Sequence, residues 1–179
     1  MEKKNFTVSV YTENNPGLLS RIAAIFLKRH INIESITVSK SEVKEVMRFI
    51  IVVHVTEEKI KKVVGQIEKQ IEVIKAYYHT DEELIFQETA LYKIRTSDFE
   101  KEWKLEDFMK ENNAWMVTVA PDFFVIEKTG KRHEIESLYD KLKPYGLMQF
   151  VRSGRIAVSK NEMQISGMLE KFNTTNSNS

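Results

Sequence analysis

The stretch ENNPGLLSRIAAIFLKRHINIES, Glu13–Ser35, decides the fold. Two asparagines, a proline and a glycine stand directly ahead of Leu18, Leu19, Ile22, Ala23 and Phe26, which recur at helical spacing. Asn15 fits the N-cap and Pro16 the first helical position, where a missing N–H does no harm. Upstream, Phe6, Val8 and Val10 alternate with Thr7, Ser9 and Tyr11, the pattern of a half-buried strand. Downstream, Ile31–Ser39 reads as a second strand whose apolar parity shifts between Ile33 and Ile36, which predicts a bulge or bend. The dense β-branched run Val46–Val55 predicts a strand buried on both faces. Ile60, Val63, Val64, Ile67 and Ile71 form a second helical stripe, and Val73–Tyr78 closes the half as a strand. The order is βαββαβ.

Beyond a charged stretch, His79–Glu83, that reads as a linker, the order recurs. Ala90–Arg95 predicts a strand and Ser97–Asn112 a helix, with Ser97 and Glu100 spaced as a capping box. Trp115, Val117 and Val119 alternate as a strand, Phe123–Glu127 follows as another, and Ile135, Leu138, Tyr139 and Leu142 mark a helix stopped by Pro144 and Gly146. Leu147–Val158 is a final strand region with a hairpin-like turn at Ser153-Gly154. The predicted fold class is α+β, with two tandem ferredoxin-like βαββαβ domains, residues 1–80 and 81–160, of about 80 residues each. Residues 161–179 form a tail, with helical spacing at Ile165, Met168, Leu169 and Phe172 before a polar end. Each domain would lay two helices on one sheet face; Ile50 and Val52 on the other face call for a cover from a partner subunit or the other domain.

Bulk properties narrow the function. The 179 residues are 42% apolar with a formal charge of +1, so electrostatics point to neither nucleic acid nor membrane. No apolar run approaches the ~20 residues of a spanning helix. With no cysteine, disulfides, thiol catalysis and cysteine-held metals are excluded. No signal peptide is visible, and the expected location is cytoplasmic. The four histidines, His30, His54, His79 and His133, lack metal-ligand spacing. No nucleophile elbow, P-loop or dinucleotide-binding glycine pattern occurs. Glu57-Glu58 and Glu82-Glu83 read as helix-start charges or solvated surface, and Trp103 and Trp115 as core. The run VMRFIIVVHV has one aromatic and no glycine, unlike a sheet that stacks RNA bases.

The opening loop itself carries ligand chemistry. Gly17 has no Cβ and lets a ligand approach closely. A helix N-terminus attracts a carboxylate, and an asparagine offers an acceptor to an ammonium and a donor to a carboxylate. Those are the two polar ends of an α-amino acid. Leu18, Leu19, Ile31 and Ile33 could wall its side chain. Asn14 and Asn32 flank the helix at opposite ends in sequence, so loops from two subunits could supply both ends of one pocket. Ordinary turn grammar before a helix accounts for the same residues.

Glu13–Val38 resembles the N-terminal motif of the regulatory small subunit of acetohydroxyacid synthase (acetolactate synthase), which begins an ACT domain. ETALYKI, VAPDFFVIEKTGK and VRSGRIAVSK follow in the order of that family's C-terminal ACT-like domain, so the resemblance spans roughly residues 5 to 160. It implies a non-catalytic subunit, holding no cofactor, that binds a catalytic large subunit using thiamine diphosphate, Mg²⁺ and FAD. It further implies activation of that enzyme and feedback inhibition by valine in branched-chain amino-acid biosynthesis (isoleucine and valine included). The family's valine lies between two ACT domains of a homodimer. Carried over by motif, its contacts fall on Asn14, Gly17 and Asn32, with Leu18 and Leu19 as additions. A stand-alone ACT-type amino-acid sensor, or a regulatory domain of another enzyme, is the alternative. One departure is His30, where the family usually has glycine and where a helix end often needs positive φ. The second half lacks an N-P-G loop, which predicts no equivalent site there.

Overall fold

The computed structural model describes residues 2–99, 104–161 and 167. The predicted tail helix and the 97/100 capping pair therefore lie at least partly outside the described residues, as does Trp103. The chain divides into two compact units, one containing the residues through Phe86 and those from Arg155 onward, the other Gln87–Gly154. The units carry the two predicted antiparallel βαββαβ repeats.

In the first unit, β1 (Lys4–Glu13), α1 (Leu18–Leu27), β2 (Ile33–Lys40), β3 (Val46–Val55), α2 (Glu57–Ile67) and β4 (Val73–Thr80) follow in order. The sheet order is β2-β3-β1-β4, with β2 and β4 at the edges. Phe6, Val8 and Val10 share a core with Phe49, Ile51 and Val53 because alternate residues point to one face. The apolar stripes of both helices, Ile22 and Phe26 of α1 and Ile60 and Val63 of α2 among them, close that core. Glu57 and Glu58 stand in the first turn of α2 and pair with Lys61 and Lys62 at 2.7 and 2.6 Å. The β2–β3 register shifts between Ile33 and Ser35, the irregularity that the parity change predicts.

Two local expectations change, and a third gains detail. The second helical stripe stops at Ile67: Gln70 N–H bonds the Ile67 carbonyl, and Ile71 turns out to solvent. His79–Glu83 is ordered as the end of β4 and a single 3-10 turn, Asp81–Glu83, in which the Glu83 carboxylate accepts the Thr80 N–H and hydroxyl at 2.7 and 2.9 Å. Ile50 and Val52 are buried within the chain. On their face, Arg155 donates to the Thr7 hydroxyl and to Asp81 at 2.7 and 2.6 Å, and Arg48 donates to the Ala157 carbonyl at 2.6 Å. The segment from Arg155, which the sequence placed in the second domain, 81–160, thus supplies cover for this face, one of the two sources expected.

The second unit contains most of β5 (Leu84–Arg95), then α3 (Thr96–Phe99), α4 (Leu105–Asn112), β6 (Trp115–Val119), β7 (Phe123–Gly130), α5 (Arg132–Leu142) and β8 (Leu147–Arg152). Its strand order is β6-β7-β5-β8. Phe99 meets Phe108 and Phe124 edge-on, each at 5.1 Å, and the buried Tyr92 hydroxyl donates to the Ile135 carbonyl at 2.8 Å. Burial pushes the Tyr92 phenol well above its ordinary pKa. Ser153-Gly154 makes no hairpin. β8 and β9 (Ile156–Ser159) both pair with β5, and Ser153 N–H bonds the Thr89 carbonyl between them. Trp115 lies on an edge strand, 74% exposed, and not in the core.

Candidate functional site

The Asn-Pro-Gly turn is more specific than a capped helix. Gly17, not Asn15, is the N-cap; it has φ 83° and ψ −6°, and Leu18 N–H reaches the Asn15 carbonyl at 3.4 Å. These are the angles of the third residue of a type II turn, where Pro precedes and Gly is favoured. Competition from this turn delays the helix by two residues. Gly17 is exposed, and a Cβ there would meet nothing within 4 Å. The glycine is therefore required by backbone angle, and its surroundings are open to a ligand. No side-chain hydrogen bond caps α1; Leu18 N–H is taken by the Asn15 carbonyl, which leaves the N–H groups of Leu19 and Ser20 without a side-chain cap. Arg21 in the first turn is tied to Glu72 at 2.6 Å, and this hydrogen bond holds the Glu72 carboxyl below its usual range.

At the far end of α1, Ile31 N–H bonds the Phe26 carbonyl and His30 N–H the Leu27 carbonyl, at 3.1 and 2.9 Å. This is a Schellman pair, with Phe26 and Ile31 in one core. His30 takes the left-handed position, φ 54°. The substitution noted in the sequence has kept the backbone form that glycine would adopt.

Asn14, Gly17 and Leu19 are exposed at one end of the unit, and Asn32 is exposed at the other. Glu13 stands opposite Val46 on β3 and Ile33 opposite Val53, so the two asparagines are separated by roughly 20 Å at a strand rise of about 3.3 Å per residue. Leu18 is buried in the core, 2% exposed, whereas Leu19 is 47% exposed; only the latter presents its side chain to a ligand. Asn14 also lines a cleft of about 260 Å³ with the β2–β3 turn, Lys40–Met47, and its N–H bonds the Glu45 carbonyl at 3.2 Å. Sequence reasoning missed this turn as part of the site. Its one local signal is Ser41, whose hydroxyl accepts the Val43 N–H at 3.0 Å.

Among the described residues, no group of three or more His, Asp or Glu side chains is placed to hold a metal ion, and no helix is long and apolar enough to cross a membrane.

Comparison with known proteins gives the same answer for both units. Residues 8–75 match the AHAS small subunit-like ACT domain, and residues 87–161 match the family described as the small subunit of acetolactate synthase. The chain is 33% identical over 160 residues to the acetolactate synthase small subunit of Mycobacterium bovis, covering 89% of this chain and 95% of that protein. It is 35% identical over 163 residues to the Bacillus subtilis acetolactate synthase small subunit, covering 90% and 93%. The crystal structure of the Thermotoga maritima acetolactate synthase small subunit superposes with a TM-score of 0.79 at 26% identity, covering 89% of this chain and 99% of that one. Motif, fold and similarity over most of the chain agree: the chain belongs to the acetolactate synthase small-subunit family.

Proposed function

We propose that this chain is the regulatory subunit of an acetolactate synthase. It binds the catalytic large subunit, where thiamine diphosphate, Mg²⁺ and FAD act, raises its activity and makes it sensitive to valine. Valine sits between two ACT units, with its carboxylate at the N-terminus of α1 beside Asn14 and Gly17, and its side chain against Leu19. Leu18 supports the site from the core and offers backbone only.

The observation that carries this reading is the separation of Asn14 from Asn32 across a unit whose β2 edge is free in the sheet order. A ligand cannot bridge roughly 20 Å in one copy. If two β2 edges pair antiparallel about their midpoint, Ile33 of one copy faces Lys40 of the other. Asn32 then falls beside Ser41 of the other copy, which lines the same cleft as that copy's Asn14. The pairing that continues the sheet also completes the pocket. Feedback follows if valine favours one arrangement of the paired units and the catalytic subunit another, with a coupling of ~1–3 kcal/mol.

Reconstitution with the catalytic subunit from the same genome tests the reading. Acetolactate formation should rise on mixing and fall with valine. Gly17→Ala separates the backbone cost from the ligand effect, because it adds strain without charge. Gly17→Asp adds a carboxylate where the valine carboxylate approaches and should abolish inhibition while activation persists. Absence of activation would instead favour a stand-alone sensor.

A further inference from the structure

The second unit buries a lysine without giving it a carboxylate. Phe124 and Ile126 of β7 face the core, and Lys128, two residues on, keeps that parity and is 8% exposed. Its ammonium donates to the Asn112 carbonyl at the end of α4, at 2.5 Å. Lys141 of α5 donates to the Asn112 side-chain oxygen at 2.8 Å. Two ammonium groups therefore meet at one residue. Asn112 is itself buried, and its side-chain amide donates to the Phe108 carbonyl at 2.8 Å, which fixes both acceptors in place.

Capping α4 accounts for one of these cations and not for both. A helix end carries roughly half a negative charge, against two full positive charges here. Glu111 and Glu134 line the same cleft, of about 250 Å³, yet neither pairs with Lys128 or Lys141 among the described residues. Glu134 instead accepts the Lys131 N–H at 2.6 Å. Each ammonium has three N–H groups and spends one on Asn112. His133 and Ser137 also line the cleft, and with Lys141 they recur every four residues, on one face of α5. The His133 ring and the Ser137 hydroxyl make no hydrogen bond among the described residues. A cation withdrawn from water is stabilised by an anion that also takes its remaining N–H groups.

We propose that this cleft binds a phosphate group, held by the buried Lys128 and the exposed Lys141, with Ser137 and His133 as further donors. A carboxylate offers two oxygens in one plane. Donors from β7 and from three successive positions of α5 suit the tetrahedral oxygens of a phosphate, for which lysine is an established point-charge ligand. The volume lies below the ~300 Å³ at which pockets for drug-sized ligands begin, which fits a free phosphate or a small phosphomonoester and not a nucleotide. All of these residues belong to the second unit, so the site does not depend on the amino-acid loop of the first.

The full-length chain in phosphate-free buffer tests the proposal. Millimolar inorganic phosphate should raise its thermal midpoint above that in sodium chloride of equal ionic strength, because a ligand of the native state stabilises it. Lys128→Met and Lys141→Met each keep an apolar stem and should weaken phosphate about tenfold in calorimetry. Ser137→Glu, on the exposed side of α5, places a carboxylate four residues before Lys141. It should remove the phosphate response while the phosphate-free midpoint stays equal or rises, which separates loss of the site from loss of the fold. Glycerol 2-phosphate identifies the source. Tighter binding than the free ion assigns the site to a phosphorylated small molecule, and equal or weaker binding to phosphate itself; both support it. No response beyond the salt control, an undiminished response in the lysine variants or in Ser137→Glu, or acetate binding as tightly as phosphate overturns it.

Discussion

His30 shows how one side chain can be wrong for its backbone and still be kept. Its φ of 54° closes the Schellman pair that turns the chain from α1 into β2. A non-glycine residue in this region costs roughly 1–2 kcal/mol, partly offset by the extra freedom glycine has when unfolded. His30→Gly should therefore raise unfolding free energy by about 1 kcal/mol, read as a higher urea midpoint at unchanged m. Stability equal to the parent would mean that the imidazole contributes contacts matching the backbone cost. At the same scale, the sequence set Asn14, Gly17 and Asn32 as ligand contacts flanking the helix, and the structure leaves all three exposed there; the sequence could not show that Leu18 turns inward. Leu18 stands four and eight residues before Ile22 and Phe26, and Leu19 three and seven, so both fit the helical stripe, and only packing decides that Leu18 is the buried one.

Among elements, the 3-10 turn at Asp81–Glu83 replaces what composition suggested was a linker. Charge density misled because Glu83 spends its carboxylate on the Thr80 backbone. That N–H, and then the Thr80 hydroxyl, holds the Glu83 pKa below its ordinary 4.5. A lowered folded-state value stabilises fully above pH 4.5 and is lost as pH falls through the lower value. Glu83→Gln imitates the protonated form. Its stability deficit should be largest near neutrality and should shrink as acid titrates the parent, as urea unfolding at stepped pH would reveal. The strands were the most legible elements: alternation located β1 and β6, a β-branched run located β3, and a parity break located the bulge in β2. Trp115 was misplaced because periodicity reports which residues alternate, not which sheet face is covered.

For the whole molecule, the repeat was legible but the closing of the first unit was not. Arg155 lies 148 residues from Thr7 in sequence, beyond the reach of any local pattern. It is 6% exposed, stacks on Phe86 at 3.6 Å and pairs with Asp81. Arg155→Met retains an apolar stem but leaves Asp81 and Thr7 unpaired. It should cost about 2 kcal/mol, less than a fully buried pair because Asp81 is partly solvated. A urea midpoint within error of the parent would show that the Arg155 contacts add nothing to the fold.

The first unit is interrupted in sequence by the second, Gln87–Gly154, and this has a consequence for synthesis. A ribosome releases the six principal elements of the ACT unit first, yet it must translate another 68 residues before Arg155 appears. At about 5–20 residues per second, that delay is roughly 3 to 14 seconds. The second unit is continuous and can be completed as it emerges; the older, N-terminal unit must wait with Thr7 and Asp81 unpaired by Arg155. The half made first is thus the half finished last, and the nascent chain is most in need of protection on the sheet face that the mature protein hides.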